Sequence, residues 1–578
     1  MKIASHITHE AVQKIGGIGS VINGLCTSDK YREFFDKTLL YGPLFNYAEN
    51  VTSRLGKDGK VLYSSIDNLD TGEHHKRFYH IIQKYNIDIV YGKRILVSDF
   101  NVNKKNEVDI VLVGISIMKE TEINDFKFKL WKNFGIESNR YDSWDYEQYI
   151  RIAVPYTMIL KALYPEDGLI YHFAHEYMGV PSALTVVMDG SFHTSNKTIF
   201  YGHEVSPCRT VVESNPGHDI SFYTTMYENI SKGKSFEDQY GTQINNYRAE
   251  LVKCSSKFDY VFAVSDLIKD EYEYFIPSAE DNKIKIVYNG IPLKYISTDE
   301  KKKSRGLIQE YISNLFTFTP DIIMTHVTRL VISKGIWRDI TFLYILDEIF
   351  RKYNLKGSYI LLSTLIGTGR SPSDIARMES EYGWPVIHKE GWPDIIGYEK
   401  DIYSYLEIFN AKSSNIKAVF LNQFGFDRRT CGMRVPEGAT FSDLRIGSDV
   451  EFGFSIYEPF GIAQLETVPF GGIAALSSSC GSSFLLKKTF NAGFSTNHCI
   501  LDFIGEAAKM KDKYHLNNLK IEERFVIEKE VLNNRADTFF ELLPKCEGDR
   551  TKLLKKAQEK SEKLGWESIV DSMNLSTL

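Results

Sequence analysis

Short apolar runs alternate with amphipathic segments along most of the chain. The first run, residues 2–7, predicts a buried strand, and residues 37–42 (KTLLYG) predict the next one. Between them, QKIGGIGSVINGL brings glycines into a segment whose apolar positions have helical spacing, namely Ile18, Val21, Ile22 and Leu25. Strand, glycine loop, helix and strand together make one βαβ unit.

The same order of elements returns in the second half of the chain. Residues 321–335 (DIIMTHVTRLVISKG) predict a strand and a loop, and IWRDITFLYILDEIFRKY and SYILLSTLIGTG predict a helix and a further strand. The charged stretch STDEKKKSRG is poor in apolar residues, so we place an interdomain linker at about 293–318. Two βαβ openings predict an α/β protein with two Rossmann-like doubly wound domains.

The length of 578 residues supports two domains, because single cores rarely grow beyond about 250–300 residues. We expect an N-terminal domain at 1–295 with an insertion around 70–165. A C-terminal domain is expected at 318–505 with an insertion around 370–440. The charged, helical segment at 506–578 is expected to pack back on these domains.

Composition narrows the class of protein. Hydrophobic residues make up 43% of the chain and charged residues 25%, as in soluble globular proteins. The net charge of −6 argues against a general nucleic-acid binder, which would carry a basic stripe, so we expect no nucleic-acid partner. The aromatic content of 13% suits contact with sugars, although a lineage-wide composition explains it better.

Cysteines and histidines give no sign of a metal site. The seven cysteines include no C-x-x-C pair, so a reducing compartment is expected rather than disulfides or zinc. His74, His75 and His80 could bind a metal, but a solvated helix explains them better. The N-terminus lacks a signal-peptide core and no apolar run approaches a membrane span, so we expect a cytoplasmic protein without a metal or cofactor.

Polar residues with possible chemistry lie at the predicted strand ends. Gly16, Gly17 and Lys14 would let a backbone and a cation approach an anionic ligand, although such glycines also serve tight packing. Two later strands end in His-Glu, at residues 175–176 and 203–204. In an open parallel sheet these ends face the ligand site, and we favour a functional role for His203 there. For the nearby His172 we favour a satisfied buried imidazole.

A pair of cations follows the first strand of the second domain. Arg329 and Lys334 flank a loop that ends at Gly335. Two cations there suit a diphosphate, since each charge pair is worth roughly 4 kcal/mol at 4 Å and an effective dielectric near 20. Two solvated surface charges are an equally good explanation from this stretch alone.

The segment 454–472 (FSIYEPFGIAQLETVPFGG) carries two carboxylates eight positions apart. Glu458 is expected in a loop before a helix that starts near Gly461, and Glu466 inside that helix. Free N–H groups at a helix start bind anionic oxygens, and a carboxylate accepts hydrogen bonds from hydroxyls. Together they suggest a sugar nucleotide, although two surface glutamates would show the same spacing.

Several of these stretches resemble the retaining GT-B glycosyltransferases, nearest to glycogen and starch synthases. The similar motifs come in the family's order: KIGGIGSV, HEYMG, FYGHE, FAVSDLIKDEY with YNGIP, TRLVISKG, and YEPFGIAQLE with the later Gly481 turn. The resemblance covers about residues 1–500. It implies two Rossmann-like domains that face a central cleft, and a metal-independent reaction that retains anomeric configuration.

The resemblance also implies roles for individual residues. Catalytic roles fall on His203 near the sugar's reactive side, Arg329 and Lys334 on the diphosphate, and Glu458 on the donor sugar hydroxyls. Donor-binding roles fall on Lys14, Gly16, Gly17, Phe460, Gly461, Ile462 and, for the ribose, Glu466.

The expected reaction transfers glucose from ADP-glucose or UDP-glucose to an α-glucan acceptor. Departures from the family's motifs at Glu176, Tyr177, Glu204 and Ala463 leave the donor base and the acceptor open. Alternatives are another acceptor, such as a sugar-phosphate, a lipid or a different polysaccharide, and a sugar-nucleotide 2-epimerase on the same fold.

Overall fold

The computed structural model describes all residues except 14–15, 46, 165–167, 190–194, 492–493 and 496, and of 494–495 it describes the backbone alone. The chain divides into two compact units. Unit 1 comprises Met1–Cys208, Asn229–Pro292 and Trp566–Leu578, and unit 2 comprises Arg209–Glu228 and Leu293–Gly565.

Unit 1 is built on a ten-stranded sheet with the order β10-β9-β8-β7-β1-β2-β6-β5-β3-β4. Its strands are β1 Lys2–Ile7, β2 Lys37–Pro43, β3 Gly59–Ser64, β4 Leu69–Asp70, β5 Asp88–Ser98, β6 Asn101–Gly114, β7 Leu169–His175, β8 Ser195–Gly202, β9 Tyr260–Ala263 and β10 Ile284–Ile286. Strands β10 to β6 of this order run parallel, and β5, β3 and β4 extend the sheet in antiparallel fashion.

Unit 2 contains a seven-stranded sheet with the order β13-β12-β11-β14-β15-β17-β16. Its strands are β11 Ile322–Val327, β12 Gly357–Leu362, β13 Ile416–Leu421, β14 Val450–Gly453, β15 Ile473–Ser477, β16 Phe494–Ser495 and β17 His498–Leu501. Every pairing is parallel except that of the edge strand β16.

Helices connect the parallel strands, as a parallel sheet requires. In the first half they are α1 Ile18–Thr27, α2 Asp29–Phe34, α3 His75–Tyr85, α4 Glu120–Phe134, α5 Trp144–Ala153, α6 Tyr156–Leu163, α7 Glu176–Met188, α8 Ser206–Ser214, α9 His218–Ser231, α10 Phe236–Tyr240, α11 Tyr247–Cys254 and α12 Asp266–Phe275.

The second half contributes α13 Thr298–Phe316, α14 Ile336–Tyr353, α15 Pro372–Tyr382, α16 Tyr398–Lys412, α17 Arg428–Cys431, α18 Phe441–Gly447, α19 Ile462–Leu465, α20 Ser482–Phe490, α21 Phe503–Ala508, α22 Ile521–Leu542, α23 Glu547–Lys560 and α24 Trp566–Ser572. Short 3-10 turns lie at Ser138–Arg140, Ser255–Lys257, Asp281–Lys283, Ile332–Lys334, Val468–Phe470, Leu516–Asn518, Ser561–Leu564 and Leu575–Thr577.

Both faces of the unit 2 sheet are covered. Successive side chains of a strand point to opposite faces, and in β11 Ile322 and Met324 belong to one buried apolar cluster while Ile323 belongs to another. In unit 1, β1 and β7 are buried at nearly every position, as expected for strands covered on both faces. The chain thus contains two Rossmann-like doubly wound domains, which is how a GT-B protein is built. The predicted α/β fold class is confirmed.

The prediction of an interdomain linker is wrong. The stretch 293–318, expected to be a linker, is largely the nineteen-residue helix α13. Its start is fixed by a capping box in which Ser297 and Glu300 bond each other's backbone N–H groups. The pattern of apolar positions does not reveal this helix, because the helix buries polar side chains as well as apolar ones. The Lys301 ammonium, for example, donates to the Ile446 carbonyl at 3.0 Å.

None of the described helices combines the length and the apolar character that crossing a membrane requires.

Candidate functional site

The strand order places the predicted site loops of unit 2 side by side. From β11 the chain builds outward through β12 and β13, and it then returns to place β14 on the other side of β11. Such a reversal opens a crevice at the carboxyl ends of the two central strands, where open α/β sheets bind ligands. The loop after β11 carries Arg329 and Lys334, and the loop after β14 carries Glu458.

Lys334 and Glu458 meet at this position as an ion pair. Their side chains are only 9% and 12% exposed, so solvent competes weakly for either charge. Backbone contacts hold the two loops together, because the Ile456 N–H donates to the Ser333 carbonyl at 2.9 Å. Gly335 has a φ of +61°, and a Cβ there would lie 2.5 Å from the Phe454 carbonyl oxygen. Only glycine permits this approach.

The Gly481 turn fixes the backbone around Glu458. The Glu458 N–H donates to the Ser479 carbonyl at 3.2 Å, and the Glu458 carbonyl accepts the Gly481 N–H at 2.8 Å. One turn further on, the Ser482 N–H donates to the Phe460 carbonyl at 2.7 Å. Glu458 is thus held in a short parallel bridge with Cys480 before its side chain reaches Lys334.

Two backbone donors remain next to this carboxylate. Gly461 has a φ of +90° and precedes helix α19, which begins at Ile462. Within the described part of the chain, the N–H groups of Gly461 and Ile462 donate to no acceptor. The side chain of Phe460 is buried, at 3% exposure, so its predicted contact with a donor is limited to its backbone.

Glu466 differs from its predicted setting. The helix was expected to run past it, but α19 ends at Leu465 and Glu466 is its C-cap. Pro469 is the physical reason, because a proline cannot continue a helix and its ring would clash with the carbonyl four residues earlier. Glu466 pairs with the buried guanidinium of Arg445 at 3.2 Å, and Arg445 also binds Glu451 at 2.7 Å.

Arg329 and Lys334 are not equivalent. Lys334 is buried and paired, whereas Arg329 is exposed, and its guanidinium forms no hydrogen bond or ion pair with any residue that the structure describes. An exposed arginine beside the crevice keeps five N–H donors for an incoming anion.

A buried ionic network, which the sequence pattern did not predict, lies behind Glu458. Arg338 donates to the Asp219 carboxylate at 2.6 and 3.0 Å and to Glu528 at 2.9 Å. Burial opposes the charge of Arg338, but these two carboxylates outweigh it and raise the pKa of the guanidinium. Ser479, whose carbonyl holds the Glu458 N–H, donates its hydroxyl to Asp219 at 2.6 Å. The one sequence signal was an arginine on the apolar face of a helix, four positions before Phe342.

The glycine loop of unit 1 follows β1, where the order of the first sheet also reverses between β1 and β7. Lys14 lies outside the described residues. The Gly16 N–H donates to one carboxylate oxygen of Glu10 at 3.0 Å, and the Gly19 N–H donates to the other at 2.8 Å. A carboxylate of the chain itself therefore occupies the start of helix α1. A Cβ on Gly17 would have open space around it.

His203 follows β8 and lies against other rings of unit 1. Its Nε2 lies 2.9 Å from Nδ1 of His175, and its ring stacks on Tyr201 at a centroid distance of 4.7 Å. Burial lowers the pKa of His203 to about 3, so the imidazole is neutral. His172 is buried and hydrogen bonded to Tyr156 and Asn196, which confirms its interpretation as a satisfied core histidine.

No cluster of three or more metal-ligating side chains is arranged around a common point in the described ranges. His75 instead contacts Asp70 at 2.7 Å on the surface.

Comparison with known proteins gives structural likenesses alone. No protein-family model matches the sequence, and no curated protein sequence matches it either. Solved structures that are similar include a UDP-forming α,α-trehalose-phosphate synthase from Burkholderia xenovorans, with 14% identity, a TM-score of 0.49, and coverage of 100% of this chain and 99% of that one.

Two further structures are similar over nearly their whole length. The catalytic domain of starch synthase IV from Arabidopsis thaliana, bound to ADP and acarbose, has 13% identity and a TM-score of 0.46, with coverage of 96% and 99%. An E. coli structure named for trehalose-6-phosphate and bound with UDP-2-fluoro glucose has 11% identity and a TM-score of 0.46, with coverage of 99% and 98%. At these values the activity has to be argued from the residues of this chain.

Proposed function

We propose that the protein is a retaining GT-B hexosyltransferase that moves glucose from a nucleoside diphosphate-glucose to an α-glucan. The observation that supports this proposal most strongly is the Lys334–Glu458 ion pair. It lies beside the N–H groups of Gly461 and Ile462, which donate to no acceptor among the described residues. This crevice offers a cation, two backbone donors and a carboxylate within one pair of loops. Those groups match a ligand that combines phosphates with hydroxyls.

The diphosphate of the donor binds to the positively charged groups of the crevice. Lys334 and the exposed Arg329 bind phosphate oxygens, and the N–H groups at the start of α19 add fixed dipoles. In the free protein Lys334 and Glu458 neutralise each other. When the donor binds, its phosphate replaces Glu458 as the partner of Lys334, and its sugar hydroxyls donate to Glu458.

Glu466 binds the ribose in this proposal. Its ion pair with the buried Arg445 orients one oxygen and leaves the carboxylate one-quarter exposed. Two ribose hydroxyls are donors, so a carboxylate held from behind by a cation is a suitable acceptor for them.

Catalysis depends on charge stabilisation at the leaving group. As the glycosidic C–O bond breaks, negative charge grows on the diphosphate, and cations and dipoles already in place stabilise it. Glu458 and Glu466 each have a cationic partner, which favours binding roles over attack on the sugar. We therefore propose that the acceptor attacks from the same face and that the departing phosphate takes its proton.

Glu10 sets the chemistry at the glycine loop of unit 1. Its carboxylate already holds the N–H groups of Gly16 and Gly19, so a phosphate at these N–H groups, whether of the donor or of an acceptor, would meet a negative charge. In this proposal the loop therefore contacts sugar hydroxyls, the donor diphosphate binds in unit 2, and a neutral glucan is the preferred acceptor. An acceptor with hydroxyls alone meets no such repulsion. The alternative, a sugar-phosphate acceptor, requires Glu10 to leave the loop.

A donor panel tests the proposal. ADP-, UDP- and GDP-glucose are each incubated with the protein and with glycogen, with glucose 6-phosphate, or with no acceptor, and products are read by mass spectrometry. Extension of glycogen by one donor supports the proposal, and transfer to glucose 6-phosphate supports the alternative. An altered sugar nucleotide without any acceptor would indicate an epimerase, and no turnover of any donor would refute a transferase.

A further inference from the structure

A continuous chain of hydrogen-bonded rings runs through unit 1 and ends at His203. The Thr38 hydroxyl donates to the Tyr31 oxygen at 3.2 Å, and the Tyr31 hydroxyl lies 2.9 Å from Nε2 of His6. Nδ1 of His6 lies 2.9 Å from Nε2 of His175, and Nδ1 of His175 lies 2.9 Å from Nε2 of His203. From Tyr31 onward, every link uses one imidazole nitrogen, and each of the histidines His6 and His175 uses both of its ring nitrogens.

The three histidines of this hydrogen-bonded series, His6, His175 and His203, are neutral. His6 and His175 are fully buried, and burial lowers the pKa of His6 to about 3 and that of His175 well below its ordinary value. At the inner end, burial raises the pKa of Cys26, beside Tyr31, to about 12, so that it stays a thiol. At the outer end, His9 and Tyr201 are the titratable neighbours of His203, and Glu10 and Asp145 face His9.

A neutral imidazole has one N–H donor and one acceptor nitrogen. In a chain of neutral imidazoles, the direction of the first hydrogen bond therefore sets the direction of all the others. If the first ring accepts at Nε2, it must donate from Nδ1, and the next ring must accept in turn.

The inner end of the chain sets this direction. The Tyr31 oxygen has three hydrogen-bonding neighbours, namely Thr38, which donates to it, Cys26, and Nε2 of His6. Because burial keeps Cys26 a thiol, it is a weak acceptor whose S–H can donate to the remaining lone pair of Tyr31, and the hydroxyl hydrogen of Tyr31 goes to the stronger acceptor, Nε2 of His6. His6 then donates from Nδ1 to His175, and His175 donates from Nδ1 to Nε2 of His203. The proton of His203 is left on Nδ1, the ring nitrogen that the chain does not use.

We propose that the relay Tyr31–His6–His175 fixes His203 in its Nδ1–H form and so makes it a neutral hydrogen-bond donor to a substrate oxygen. In this form neither ring nitrogen of His203 can take a proton, because Nε2 accepts from His175 and Nδ1 already carries a hydrogen. His203 would orient a hydroxyl or carbonyl oxygen and would not act as a general base. Tyr31, His6 and His175 are positioning residues, and only the identity of the substrate rests on the proposed function.

Nitrogen-15 NMR of histidine-labelled full-length protein tests the relay without any substrate. The resonances of His203 are assigned by their loss in His203→Gln. In the wild type they should show a single Nδ1–H tautomer that does not titrate from about pH 5 to about pH 8. Tyr31→Phe removes the hydroxyl that donates to His6, so the single-tautomer signal of His203 should be lost in favour of a tautomer mixture.

Tyr156→Phe is the matched control. It also removes a buried tyrosine hydroxyl bonded to a histidine, but that histidine is His172, outside the relay. Its His203 resonances should stay at their wild-type positions, and circular dichroism checks that both variants fold. An Nε2–H or protonated His203 in the wild type would overturn the proposal, as would unchanged His203 resonances in folded Tyr31→Phe. A correct tautomer in a protein that turns over no donor would refute the proposed function and leave the relay intact.

Discussion

Lys334 and Glu458 come from loops after two adjacent parallel strands, 124 positions apart in the chain, and pair in a crevice that leaves each about one-tenth exposed. Neither residue is held by this pair alone. The Glu458 backbone is fixed by Ser479 and Gly481, and the loop of Lys334 is fixed by Gly335. The pair therefore presents two opposite charges whose positions are set before any ligand arrives, which is the condition for strong electrostatic binding.

Lys334→Ala should lower donor turnover by about 10- to 100-fold. The loss corresponds to one charged hydrogen bond to a phosphate, roughly 1.5–3 kcal/mol. Steady-state kinetics with the donor identified by the panel measure it. Lys352→Ala is the control, because Lys352 is an exposed lysine near the end of helix α14, the helix that follows the Lys334 loop, and this variant should keep wild-type kinetics. Near-wild-type turnover in Lys334→Ala would remove the phosphate role.

Gly461→Ala should weaken nucleotide binding by roughly tenfold, equal to about 1.4 kcal/mol. Alanine is strained at a φ of +90°, and its Cβ would lie 2.8 Å from Gln464 Oε1 and 2.9 Å from Cys480 Sγ, so the two backbone donors would move. Isothermal titration calorimetry with the nucleoside diphosphate gives the affinity. Gly438→Ala separates the effects, since Gly438 has a φ of +76° with open space around a Cβ. Equal affinities in the two variants would argue against donors at this helix start.

Glu528→Ala should destabilise unit 2 by about 3–5 kcal/mol, because it removes one of the two carboxylates around the buried Arg338. The Trp337 indole would lose its acceptor as well, at 2.9 Å. The thermal unfolding midpoint should fall clearly. Glu530→Ala, at an exposed position two residues further along the same helix, is the control. It should change the free energy of unfolding by no more than about 0.5 kcal/mol and leave the midpoint close to that of the wild type. A midpoint that stays at the wild-type value in Glu528→Ala would show that the network carries little stability.

Acidification should destabilise the fold through the buried histidines. Burial lowers the pKa of His6 from its ordinary 6.5 to about 3, so between these values the unfolded chain binds a proton that the folded chain does not. Stability is therefore fully present above about pH 6.5 and falls with decreasing pH, by up to about 1.4 kcal/mol per pH unit for each such histidine. Urea unfolding at a series of pH values measures the slope.

His6→Gln removes one of these titrations and should make the slope shallower. His80→Gln, at an exposed position of α3, is the control for the loss of a histidine and should keep the wild-type slope. A His6→Gln slope equal to that of the wild type would mean that the relay does not resist protonation in the folded state.

The local pattern was sufficient for much of the fold. The apolar run at 2–7 and the run beginning at Ile322 became strands at nearly the predicted bounds, because a buried strand needs only consecutive apolar positions. The pattern failed where polar groups are buried by specific partners. Helix α13 buries Lys301 and Arg305, and the helix before Glu466 is cut short by Pro469. Helix α13 could not be predicted, because the partners of its buried charges lie far away in the sequence. The early end of α19 had a local signal in Pro469.

By itself the sequence determined which residues stand in strand-to-helix loops, and therefore the two glutamates, the two cations and the glycines of the candidate site. Only the tertiary structure decided which of them meet. Lys334 faces Glu458 because β14 inserts beside β11, and Glu10 faces Gly16 because its loop folds back on helix α1. Strand order and loop path are set by the summed packing of distant apolar faces, so the partners of a charged side chain cannot be deduced from its neighbours in the chain.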